Sequence, residues 1–196
     1  TNNQIVSHNL QSEPKFIITK SIDDSWGWYV YHAEIPLKTL YLDTNASASD
    51  ITLFFDVTSD SYTCDSKRMG TTSGKNVSYL FADTPGKIKC GSYVGNNVEK
   101  EIDCGFKPEF VLIKIVDSGP KNTDWSITSR PRGTEYLKPN TNDEKANWST
   151  FFEWTDTGFK VLQAADMLNV SGKKYIYVAI AEDVTAGEFA PTGVLT

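Results

Sequence analysis

Short apolar runs rich in β-branched and aromatic residues recur along the whole chain, separated by clusters of turn formers. "PKFIITKS" (Pro14–Ser21) and "PEFVLIKIV" (Pro108–Val116) have the length of a strand, and each opens on a proline that suits a strand's first position. "GWYVYHA" alternates Trp28, Val30 and His32 on one face with Tyr29, Tyr31 and Ala33 on the other, the period of a half-buried strand. "ITLFFDV" and "STFFEW" are further short runs, the second followed through a Gly turn by "DTGFKVLQ". "SGKNVSYLFA" and "SGKKYIYVAIA" each start at a Ser-Gly turn and continue apolar. No stretch sustains a helical stripe for three turns, a short turn near "AADMLN" excepted. The predicted class is all-β, built as a sandwich or as two small β lobes.

The runs occur twice in the same order. Pro14, Phe16 and Lys20 match Pro108, Phe110 and Lys114 at an offset of 94, and Tyr41-Leu42 matches Tyr136-Leu137 at 95. Phe54-Phe55 and Thr58 match Phe151-Phe152 and Thr155 at 97. Met69, Ser73-Gly74-Lys75 and Tyr79 match Met167, Ser171-Gly172-Lys173 and Tyr177 at 98. An ordered series whose offset only grows is the trace of an internal duplication with short loop insertions. Residues 1–84 form the first repeat and 98–184 the second, with 185–196 as a C-terminal tail. Residues 85–97, "PGKIKCGSYVGNN", are a linker or a strand that one copy lends to the other. A repeat that cannot bury its own face gains a core by packing on its neighbour. The echoed residues Tyr79, Phe81, Tyr177 and Val178 are therefore expected in the core.

Composition narrows the function. A formal charge of −6, with 19 basic against 25 acidic residues and no basic cluster, argues against nucleic acid as a partner, since phosphate neutralisation needs grouped Lys and Arg. No apolar run approaches the ~20 residues of a membrane helix, so no membrane insertion is expected. The start, "TNNQIVSHNL", carries no targeting pattern, and without an initial Met the chain is expected to be a piece of something longer. Three cysteines, Cys64, Cys90 and Cys104, in no CxxC pair make a poor disulfide framework and a poor zinc site. Free thiols made in a reducing cytosol are expected, one bridge plus a spare thiol being the alternative. Asn-X-Ser triplets at Asn45, Asn76, Asn147 and Asn169 matter only in a eukaryotic secretory pathway.

Catalytic patterns are scarce. His8 and His32 are the only histidines, and a structural role fits them better than a hydrolase base. Asp56 and Glu153 follow the double Phe in each copy, a carboxylate pair that a glycosidase needs but that an outward sheet face explains equally well. Asp56, Asp60 and Asp65 lack the ligand spacing of a calcium loop. No metal site, cofactor or catalytic residue is assigned. The aromatic residues draw more interest, with five Trp, nine Tyr and ten Phe. Trp28 and Trp125 match across the copies and are expected in equivalent cores. Trp26 in "DDSWGW" and Trp148 in "EKANWST" lack a partner in the other copy and sit among polar residues. These two are the candidate ligand-binding residues, rigid apolar anchors of the kind that contact surfaces use.

The segments "VSHNLQSEPKFIITKS", "WYVYH", "YLFADTPG", "CGSYVGN", "GFKPEFVLIK" and "GKKYIYVAIAED" together resemble a duplicated β-repeat family of tail-fibre-like and other virion proteins of tailed bacteriophages, marine phages especially. The likeness runs from Val6 to Asp183, with Gln11 where the family usually has Gly, Asn9 where it has Gly after the His, and Cys90 where it has an aromatic residue. Asn9 tolerates a left-handed turn. The resemblance implies a non-enzymatic virion structural module (tail fibre, spike or decoration domain) made in the host bacterial cytoplasm. Its implied partners are other virion proteins and a host-surface glycan or protein, with a homo-oligomer, a trimer in a fibre, left open. A carbohydrate-binding module, free or attached to a glycan-active enzyme, is the alternative.

Overall fold

The computed structural model of the chain describes residues 3–65, 75–118 and 123–182. The fold is all-β, with every strand pairing antiparallel, and it divides into two compact units. Among the described residues no helix is long and apolar enough to cross a membrane.

Unit 1 comprises the described residues 3–42, 48–65 and 75–83. Its strands are β1 (Asn3–Ser7), β2 (Phe16–Ser21), β3 (Tyr29–His32), β4 (Leu40–Tyr41), β5 (Phe54–Phe55), β6 (Ser61–Asp65) and β7 (Asn76–Phe81). They form a four-stranded sheet, β4-β3-β2-β7, and a three-stranded sheet, β1-β6-β5. Alternation turns Ile17, Tyr29, Tyr31 and Leu80 of the first sheet toward Val6, Phe54, Tyr62 and Cys64 of the second, making a sandwich core. Where β7 offers only Ser78, Tyr62 fills the space and donates its hydroxyl to Ser78 Oγ at 2.8 Å.

Unit 2 comprises the described residues 43–47, 84–118 and 123–182. Its strands are β8 (Ile88–Val94), β9 (Lys100–Asp103), β10 (Pro108–Ile115), β11 (Ser126–Ser129), β12 (Glu135–Leu137), β13 (Ala146–Asn147), β14 (Phe152–Trp154), β15 (Gly158–Val161) and β16 (Lys174–Ala181). The six-stranded sheet runs β13-β12-β11-β10-β16-β8, and the three-stranded sheet runs β14-β15-β9. Residues 85–97 thus hold a strand, β8, paired with β16 from Ile88↔Ile180 to Val94↔Lys174. Its Tyr93 stacks on Tyr175 with ring centres 5.0 Å apart. A side chain at Gly91 would stand 2.6 Å from the Tyr177 hydroxyl, so the glycine is what lets Tyr177 lie across β8. The expected tail at 185–196 lies outside the described residues, as do Met69 and Ser73-Gly74 of the echoed motif.

The two units repeat one strand plan. β1, β6 and β5 of unit 1 correspond to β9, β15 and β14 of unit 2, and β4-β3-β2-β7 to β12-β11-β10-β16. Phe16 pairs with His32 and Phe110 with Ser129, so the first matched pair lies on equivalent strands. The last matched pair does not hold. Ile18 faces Tyr79, whereas Leu112 faces Val178, which makes Val178 the counterpart of Tyr79 and Tyr177 the counterpart of Ser78. A one-residue difference in a strand exchanges its faces. Tyr177 and Val178 are buried as expected, but Tyr79 is 42% exposed and Phe81 half-buried. The same ladders match Phe54 to Phe152 rather than Phe151, and Leu40 to Leu137.

The turn after β1 corrects another expectation. Gln11, not Asn9, takes the left-handed backbone, with φ +56°. A side chain in that conformation is strained, and a glycine would relieve it.

Candidate functional site

The corner that follows β5 differs between the two units. In unit 1 the chain reads Phe54-Phe55-Asp56-Val57-Thr58, and in unit 2 Phe152-Glu153-Trp154-Thr155. Phe54 pairs with Cys64 and Phe152 with Val161, and Thr58 N and Thr155 N donate to the carbonyls of Ser61 and Gly158. Two residues of unit 1, Asp56 and Val57, therefore stand where unit 2 has only Trp154. The extra residue is accommodated by Asp56 at φ +49°, a conformation Asp tolerates better than most side chains. Such bulges redirect side chains at the edges of sheets.

Here the bulge opens a pocket of about 230 Å³ lined by Tyr31, Pro36, Leu37, Thr52, Phe54, Phe55, Asp56 and Val57. Phe54 forms its floor and packs 5.9 Å from Tyr31. Burial and then the Glu13 carboxylate push the Tyr31 phenol up, so it stays protonated. Leu37, 72% exposed, stands at the mouth. Thr52 Oγ1 donates to Leu37 O at 2.9 Å and pins that wall. Asp56 supplies an exposed carboxylate.

The same corner of unit 2 is filled from within. Ser129 is the counterpart of His32 and Leu137 of Leu40, so Arg130 stands for Ala33 and Gly133 for Pro36. The Trp154 indole donates Nε1–H to Gly133 O at 2.6 Å and packs edge-on against Phe152 at 4.9 Å. The Arg130 guanidinium lies 5.0 Å from the indole centre and donates to Pro108 O and Thr155 O. Unit 2 thus holds an indole under a cation where unit 1 holds open space.

The two tryptophans singled out from sequence fare differently. Trp26 is 48% exposed, on a loop whose Asp24 and Trp26 carbonyls accept from Lys20 Nζ at 3.0 and 2.6 Å. Trp148 is 3% exposed and stacks on Tyr136 with ring centres 4.1 Å apart, so it offers no face to a ligand. The reason is volume. Unit 1 fills this part of its core from β3 with Tyr29 and Tyr31, whose counterparts on β11 are Ser126 and Thr128. Unit 2 makes up the loss from β12 and the turn after β13, with Tyr136 and Trp148 in place of Thr39 and Ile51. Trp125 is buried as expected, while Trp28 is half-buried.

The remaining candidates are held structurally. His32 is buried, with Nδ1 accepting from Glu34 N at 3.1 Å, and His8, half-buried, accepts from Leu10 N at 3.4 Å. Burial, partly offset by a hydrogen bond with Thr58, lowers the His8 pKa. Asp56 and Glu153 lie in different units and at different register positions. All three cysteines are free and buried. Among the described residues no cluster of three or more His, Cys, Asp or Glu is placed to hold a metal ion. Sequence reasoning passed over Lys114, which is buried in unit 2 with Nζ donating to Thr123 O at 2.5 Å and to Asn45 O at 3.3 Å. Burial, opposed by Asp124, pulls its pKa down to about 8. It pins the loop at Asn45 to unit 2.

A family model described as a domain of unknown function (DUF7483) matches residues 1–184. No curated protein and no solved structure matches the chain.

Proposed function

For this chain, which belongs to the DUF7483 family, we propose a non-enzymatic role as a virion structural module that contacts a host surface through the pocket of unit 1. The pocket carries the reading: the half-buried Phe55 ring and the exposed Asp56 carboxylate meet above the buried Tyr31 and Phe54, at a corner that the duplicate unit closes with its own Trp154. A duplicated fold keeps shared positions for packing and is free to diverge where they differ, and this pocket lies at such a point. The virion setting rests on the resemblance of the repeat segments to tail-fibre-like phage proteins, and it makes other virion proteins the structural partners. A carbohydrate-binding module is the second reading, supported by the same corner, since an accessible ring such as Phe55 beside a carboxylate also suits a sugar.

Two measurements test this. Mass spectrometry of purified particles from a lysate that expresses the gene should find the chain in stoichiometric amount, and its absence from the particles would contradict the virion setting. Binding of the labelled full chain to a panel of bacterial surfaces and arrayed glycans should be lost in Phe55→Glu. That change places in unit 1 the residue that unit 2 carries at the same register.

A further inference from the structure

We propose that the unit 1 pocket takes an aromatic side chain, with an adjacent basic group, from a partner protein, in the manner in which unit 2 takes its own Trp154 and Arg130. This rests on the reading that the pocket is the contact site. The occupant is argued from the duplicate unit. In unit 2 the indole lies against Phe152, hands its N–H to the Gly133 carbonyl, and is covered by Arg130. Unit 1 keeps the matching floor in Phe54 and a main-chain carbonyl at Pro36, the counterpart of Gly133. What it lacks are the indole, replaced by the Asp56-Val57 bulge, and the cation, replaced by Ala33.

Size and charge agree. About 230 Å³ exceeds the roughly 150 Å³ that holds benzene, leaving room for a bicyclic ring. The exposed Asp56 carboxylate stands at the rim, with no ion-pair partner among the described residues, and so favours a cationic neighbour on the incoming ring. A pyranose fits less well. Its several hydroxyls would meet mainly Pro36, Leu37, Phe54, Phe55 and Val57, and each unpaired hydroxyl costs affinity. A second copy of this chain fits less well too, because its exposed Trp26 sits beside two carboxylates, Asp23 and Asp24, against one ammonium, Lys20, a net negative neighbourhood for Asp56.

The test is an amide NMR titration of the full chain with three probes: indole, tryptamine and methyl β-glucoside. Tryptamine should shift the amides of Leu37 and Thr52–Val57 saturably, and indole the same set more weakly. Phe55→Glu should weaken indole by at least about tenfold, the effect of a charge in an apolar pocket, and tryptamine by less, because the new carboxylate also attracts its ammonium. Asp56→Asn, which keeps the left-handed backbone accessible, should weaken tryptamine by about two- to fivefold and leave indole unchanged, as loss of one exposed ion pair does. Trp154→Ala should create a second indole site, read at Phe152 and Gly158. If that variant fails to fold, the two unit 1 variants still decide the matter. Glucoside shifting the pocket amides where tryptamine does not would overturn the aromatic occupant and leave the contact site standing. No probe shifting these amides would overturn both.

Discussion

Replacing Trp148 with alanine removes a ring that is 3% exposed, stacked on Tyr136 at 4.1 Å and tilted against Phe152 at 5.6 Å. A tryptophan buries about 150–250 Å², so at ~25 cal/mol per Å² its transfer alone is worth roughly 4–6 kcal/mol. That is an upper bound, because a denatured chain already shields part of its apolar surface. Tyr136 loses its stacking partner and Phe152 a tilted ring contact, and Ser126 and Thr128 are too small to close the hole. The expected loss is therefore about 3–5 kcal/mol. Urea unfolding followed by circular dichroism should show a lower midpoint at unchanged slope, and Trp148→Phe should recover most of the difference. Trp26→Ala, on an exposed loop, should change stability by no more than about 0.5 kcal/mol. A loss below about 1 kcal/mol for Trp148→Ala would refute the view that this indole replaces the core volume that Tyr29 and Tyr31 supply in unit 1.

Two further outcomes follow from the same structure. Gln11→Gly should raise stability by about 0.5–1 kcal/mol, since relief of left-handed strain of about 1–2 kcal/mol outweighs the added chain entropy, and a lower thermal midpoint would contradict the φ of +56°. Burial pushes the Cys64 thiol up to about 11 and, against an opposing hydrogen bond with Tyr177, the Cys104 thiol up to about 12. An unfolded thiol loses its proton near ~8.5, so the folded state then binds more protons. The stability these thiols contribute is complete below that pH and is lost as pH rises through about 11 and about 12. Native thiols should thus react slowly with a disulfide reagent at neutral pH, all three reacting on denaturation, and Cys104→Ala should flatten the alkaline fall in stability.

The strands and the duplication were legible because apolar alternation is local: Phe16 and Phe110 sit at the same place in runs that read as strands without any tertiary knowledge. Register was not. The shared Ser-Gly-Lys aligns Tyr79 with Tyr177, but Lys174, at the start of β16, adds one residue and turns every following side chain to the other face. Trp148 misled because its neighbours in "EKANWST" are polar, while its burial is set by the small residues Ser126 and Thr128 on a distant strand. The pocket was hidden by a similar slip. Matching Phe54-Phe55 to Phe151-Phe152 at a constant offset conceals the one extra residue in unit 1. The ladders put the offset at 98 for Phe54 and back to 97 at Thr58, a reversal that only strand pairing reveals.

The central claim is that the open corner of unit 1 is the contact site. It is tested most directly by binding the labelled full chain to a panel of intact bacterial cells, with wild type, Phe55→Glu and Trp26→Ala compared side by side. Phe55→Glu should lose at least about tenfold in affinity with its thermal midpoint nearly unchanged, and Trp26→Ala should bind as wild type does. Undiminished binding by folded Phe55→Glu would contradict the account.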